Sequence, residues 1–154
     1  MDQSGRIDQI SAVMGRMRVL IGRRVISRLA MAELGPILDL SDLDVLEMVP
    51  GPGTEREVSV GDIARQMRID PSRASRLVAG LVERGYLLRA VAQQDARRAV
   101  LLRSEQAERV LTEIHRVKRQ LIADIVSDWP AEEIGQFADG FEAFIAALER
   151  RTSP

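Results

Sequence analysis

"IDPSRASRLVAGLVERGY" (residues 69–86) carries its own start and stop signals. Asp70 is a good N-cap, Pro71 suits a first helical position where its missing N–H loses nothing, and Gly85 tolerates the backbone turn that ends a helix. The stretch predicts a helix from residue 71 to about 84. Ala74, Leu77, Val78 and Leu81 follow at steps of three, four and seven, so they form one apolar stripe. That stripe suits Ile63, Ala64 and Met67 of the preceding "DIARQM" (62–67), from which only Arg68, Ile69 and Asp70 separate it. Two short helices joined by a three-residue turn result. The far side of the second helix carries Ser72, Arg73, Ser75 and Arg76, with small Ala79 and Gly80 beyond them.

Downstream, "YLLRAV" (86–91) and "RAVLLR" (98–103) flank a polar tip containing Asp95 and Arg97, which reads as a β-hairpin. From Ser104 a helical period returns at Val110, Leu111, Ile114, Val117, Leu121, Ile125 and Trp129, interrupted by Pro130. A last helix carries Ile134, Phe137, Phe141, Phe144, Ile145 and Leu148. Upstream, "EVSV" (57–60) alternates like a short strand, and Gly61-Asp62 starts the helix after it. "PGPG" (50–53) is a loop, and Ser41 reads as the N-cap of a short helix with Leu43, Leu46 and Val49. Ile7, Ile10, Met14, Met17, Leu20 and Ile21 open an amphipathic helix that should end near Gly35-Pro36.

The 154 residues are 45% hydrophobic but only 3% aromatic, so the core is aliphatic. Absence of cysteine removes disulfides, thiolate zinc sites and thiol chemistry, and the single histidine, His115, removes a multi-histidine metal site within one chain. There is no glycine-rich phosphate loop, and Asp42 and Asp44 read as helix-start acids, so an enzyme is disfavoured. Arg16, Arg18, Arg23 and Arg24 interrupt the first thirty residues, which argues against a signal peptide, and no apolar run approaches membrane-spanning length. A cytoplasmic protein without a membrane partner is expected.

The net charge of −1 is unevenly spread. Residues 61–103 hold nine arginines and four acids, against seven arginines and nine acids in 1–60 and six bases and ten acids in 104–154. Local charge, not overall charge, attracts a polyanion. Guanidinium and hydroxyl donors on an anchored helix suit the major groove of DNA, and Asp95, Arg97 and Arg98 on the hairpin suit an adjacent groove. The plainer alternative is a set of ordinary solvated residues.

The order "VSVGDIARQMRIDPSRASRLVAGLVERGYL" followed by "DARR" resembles the MarR family of transcriptional regulators over residues 57–104. The resemblance implies a mainly α fold with a small β-hairpin wing: a winged helix-turn-helix at 36–104 flanked by dimerisation helices at 1–35 and 105–154. It implies a homodimer bound to double-stranded DNA, with Arg97 in the minor groove and Asp95 orienting it. A ligand-responsive repressor on a pseudo-palindromic operator follows. Terminal helices beyond what a winged domain needs for its own core favour the same dimer, through Ile7, Ile10, Met14, Trp129, Phe137, Phe141, Phe144 and Leu148. A small aromatic or anionic effector is a further implication, with Arg16, Arg18, Arg23, Arg24, His115 and Trp129 as candidates; each is also read as a solvated, structural or interface residue. Arg103, Ser104 and Ala107 stand where the family usually carries leucine, threonine and glycine, and Gly80 inside a helix suggests close approach to a backbone. A protein-interaction module on the same scaffold is the alternative.

Overall fold

The computed structural model describes residues 2–34, 38–92 and 97–152. Its elements are α1 (Gln3–Gly22), α2 (Val25–Leu34), α3 (Leu40–Met48), α4 (Val60–Met67), α5 (Pro71–Glu83), β1 (Leu87–Val91), β2 (Ala99–Arg103), α6 (Glu105–Ile125) and α7 (Ala131–Thr152). The mainly helical winged fold expected from sequence is the one observed.

The decisive stretch folds as its signals dictate. Asp70 Oδ1 accepts the Arg73 N–H at 2.8 Å, and Pro71 opens α5. At the other end Gly85 adopts φ +79°, letting Tyr86 N–H reach Leu81 O at 2.9 Å and Gly85 N–H reach Val82 O at 3.0 Å. Those bonds satisfy carbonyls the helix leaves open and aim the chain into β1. Ala74, Val78 and Leu81 of α5 are buried, as are Ile63 and Ala64 of α4, whereas Leu77 and Met67 are only half-buried. β1 and β2 pair antiparallel from Leu87 opposite Arg103 to Val91 opposite Ala99.

Four local expectations are corrected. The first amphipathic segment is two helices: Arg24 takes φ +53°, and its N–H bonds to Ile21 O at 2.8 Å, so the chain turns after Gly22 although the apolar spacing runs on. The predicted stop at Gly35-Pro36 lies outside the described residues. Asp39, not Ser41, caps α3, because Asp39 and Asp42 form a reciprocal capping box that Ser41 is placed too late to make. "EVSV" is not a strand: Val58 O accepts one bond, from Leu101 N–H at 2.8 Å, and Ser59 then caps α4 through its own box with Asp62. Helix α6 ends at Ile125, short of Trp129.

The chain divides into two compact units, one ending at Lys118 and the other beginning at Arg119. In the first, α6 contributes Ala107, Leu111, Ile114 and Val117 to the core. In the second, Phe137 meets Trp129 edge-on with centroids 5.6 Å apart and stacks on Phe141 at 5.7 Å. Ile134, Phe137, Phe141, Phe144 and Leu148 nevertheless remain exposed.

Candidate functional site

With the apolar side of α5 buried, Ser72, Arg73, Ser75 and Arg76 stand exposed on its N-terminal half. Arg73 and Arg76 border a crevice of about 390 Å³ together with Arg84, Asp39 and Asp42. Arg84 is not free to read anything: its Nη2 donates to Asp42 Oδ1 at 2.8 Å, and its Nε to Gly80 O at 3.1 Å. The hydrogen bond to Asp42 raises the Arg84 pKa above its ordinary value. Among the described residues a Cβ at Gly80 would meet nothing within 4 Å, so no neighbouring element described requires the glycine.

At the wing, Ala92 N–H donates to Arg98 O at 2.9 Å beyond the last strand pair. Arg97 is exposed there, while Asp95, its expected orienter, lies outside the described residues. Arg98, the other wing arginine, is half exposed and also has acidic neighbours within the chain. Its guanidinium lies 3.5 Å from Asp62 and 3.7 Å from Glu57, tying the foot of the wing to the start of α4. Sequence reasoning missed this partnership, although the Ser-x-x-Asp capping signature at 59–62 marks Asp62 as fixed.

The acidity of Asp62 is strongly perturbed. The Ser59 hydroxyl, at 2.6 Å, and the Ser59 backbone N–H, at 2.8 Å, lower its carboxyl from 3.8 to about 2, against an opposing desolvation effect, and Arg65 adds to the lowering. A carboxyl depressed on folding stabilises fully above its unfolded pKa and loses that contribution as pH falls through the folded value. The stability gap between the parent and Asp62→Asn is therefore expected to be widest above a pH of about 5 and to close on approach to 2. Denaturant titrations across that range check it; a gap that ignores pH would disconnect the cap from the carboxylate.

The departures after the second strand are accommodated. Arg103 N–H donates to Pro50 O at 3.0 Å, and its Nε lies 2.8 Å from Glu108 Oε1 in an ion pair whose geometry falls short of a hydrogen bond. Ser104 Oγ donates to Gly85 O at 2.6 Å and accepts from Ala107 N–H at 3.2 Å, which caps α6 without threonine. Among the effector candidates, Arg16 and Arg18 are exposed on α1 and His115 on α6. Arg23 borders a crevice with Val25, Arg28 and Leu29, Arg24 is committed to Asp44, and Trp129 lies against Phe137. Among the described residues no helix is long and apolar enough to cross a membrane, and no three metal-ligating side chains converge.

Residues 38–98 match the sequence profile of the MarR family. Solved structures share the fold at low identity. A transcriptional regulator from Thermotoga maritima superposes with TM-score 0.73 at 20% identity, over 96% of this chain and 99% of the other. A MarR family protein from Bacillus stearothermophilus gives 0.69 at 16% identity, over 96% and 99%. MepR from S. aureus, bound to ethidium bromide, gives 0.61 at 16% identity, over 96% and 97%. No curated protein matches the sequence significantly.

Proposed function

With residues 38–98 belonging to the MarR family, we propose that the chain is a transcriptional regulator that grips double-stranded DNA as a two-fold homodimer and represses from a pseudo-palindromic operator. One observation carries this reading. Arg73 and Arg76 stand exposed on a helix whose Ala74, Val78 and Leu81 are fully buried, so the core fixes the element while its guanidinium groups face solvent. A guanidinium fork matches the O6/N7 edge of guanine, and the Ser72 and Ser75 hydroxyls reach bases or phosphates. Arg97, exposed beside the wing tip, suits a narrow minor groove where negative potential concentrates. Two α5 helices in successive major grooves require half-sites about 34 Å apart, and phosphate neutralisation makes the affinity fall steeply with salt.

An effector belongs to the same proposal. MepR bound to ethidium bromide supports a small aromatic molecule, and the crevice beside Arg23 and Arg28 offers guanidinium groups next to Val25 and Leu29 for an aromatic anion.

The test uses a duplex selected by the parent from a random pool, titrated at two salt concentrations with Arg76→Ala and Arg97→Ala alongside. Arg76→Ala is expected to cost about 1–3 kcal/mol and to relax base preference at one position. Arg97→Ala is expected to weaken binding chiefly where the flanks are A·T-rich. Indifference of both variants would favour the protein-interaction module instead.

A further inference from the structure

Helix α3 is gripped by an arginine on each of two sides. Asp42 and Asp44 lie two residues apart, about 200° around the helix, so their side chains leave it in nearly opposite directions. On one side Arg24, the left-handed residue between α1 and α2, forks onto Asp44. Its Nη1 meets Oδ2 at 2.9 Å, its Nη2 meets Oδ1, and Nη2 also donates to Leu40 O at 3.1 Å. On the other side Asp42, at 4% exposure the one buried charged residue among those described, divides its two oxygens. Oδ2 accepts the Asp39 N–H at 3.1 Å, and Oδ1 takes Arg84 from the end of α5 at 2.8 Å. Arg84 is held in turn by its bond to Gly80 O and by the Tyr86 ring, whose centroid is 5.8 Å from its Cζ.

Both pairs are part-buried, and such carboxylate–guanidinium pairs add little stability, but they are directional, because a planar guanidinium is satisfied in few orientations. Any rotation of α3 that keeps the Arg24 fork closed must carry Asp42 with it, and Asp42 carries the end of α5. We infer that the first two turns of α3 are a relay through which the α1–α2 junction sets the orientation of the α5 reading face, with Arg24, Asp44, Asp42 and Arg84 as positioning residues. The inference rests on the DNA-reading role proposed for α5. Its consequence is that whatever shifts the α1–α2 junction alters DNA reading without touching α4 or the wing.

Arg24→Gly removes the fork while accepting φ +53°, so the junction keeps its turn. Arg84→Met removes the other link and keeps an apolar stem; Arg84→Lys replaces it if the Met variant fails to fold. Parent, both single variants and the double are titrated against the duplex selected by the parent. Each single variant is expected to bind about three- to thirtyfold more weakly, and the double to fall short of the product of the two by about threefold or more. Effects that multiply, or a single variant that binds like the parent, overturn the relay. Hydrogen exchange in the DNA-free protein gives an independent reading: Arg24→Gly is expected to quicken exchange at the α5 amides by about threefold or more. Unchanged exchange there overturns the relay even if DNA binding holds. A parent that binds no duplex sinks the DNA reading alone, and the exchange result still decides the relay.

Discussion

Phe141→Glu is expected to convert the proposed dimer into a monomer and to lower affinity for an operator duplex by about a hundredfold or more. Ile134, Phe137, Phe141, Phe144 and Leu148 on α7 alternate at steps of three and four, the spacing of a seam that packs against another helix. All five are exposed, including Phe137 at 55%, and such a row needs a partner. α1 repeats the spacing at Ile7, Ile10, Met14, Met17 and Ile21. A glutamate at 141 introduces two like charges into a two-fold interface and desolvates both, which is unfavourable by several kcal/mol. It also removes the ring that Phe137 stacks upon. The isolated chain should tolerate the change, since position 141 is 39% exposed and glutamate is a good helix former. Unchanged circular dichroism with a halved sedimentation mass is therefore the expected pattern. Affinity falls with it because tethering two reading heads multiplies binding by about 10²–10⁴, and a lone head forfeits that factor. A variant that stays dimeric and binds like the parent would remove α7 from the interface.

The elements that carry the proposed reading face were legible because their signals are local. Asp70-Pro71 opens α5, Gly85 closes it, and the stripe at Ala74, Val78 and Leu81 tells which side is buried. The misreadings came where two local signals compete. Ser41 and Asp39 are both good caps, and the acid at 42, three residues after Asp39, decides between them. "EVSV" alternates like a strand, but Ser59 and Asp62 complete a capping box that claims the segment for α4. The turn at Arg23 and Arg24 was hidden by apolar spacing that continues through it, with Gly22 the only warning. The pairs that organise the site, Asp42 with Arg84 and Arg98 with Asp62, join residues 42 and 36 positions apart, and charge alone does not say which arginine among many an acid will meet. Nothing in the sequence marks Arg98 as the partner of Asp62; the fold brings the two together.

Leu81→Ala is expected to destabilise the protein by about 2–5 kcal/mol and to lower its thermal midpoint by roughly ten degrees. Leu81 is 0% exposed, and it lies on the buried side of α5 in the last turn before the chain enters the wing. Its carbonyl accepts the Tyr86 N–H, so the same residue anchors the helix and directs the hairpin. Truncation leaves a cavity where surrounding side chains relax only partly, which is why the expected loss exceeds the transfer free energy of the missing atoms. Alanine is the better helix former, so α5 should keep its helicity while losing its hold on the core. Ser72, Arg73, Ser75 and Arg76 are untouched, and well below the midpoint the affinity for DNA should stay close to that of the parent. Denaturant curves at one fixed protein concentration, with duplex titrations beside them, separate the two effects, since a dimer's apparent stability depends on concentration. Loss of affinity at full folding would mean that the core beneath α5 tunes its reading face as well as holding it in place. A loss of stability well under 1 kcal/mol would contradict the packing that leaves the arginines on the outside.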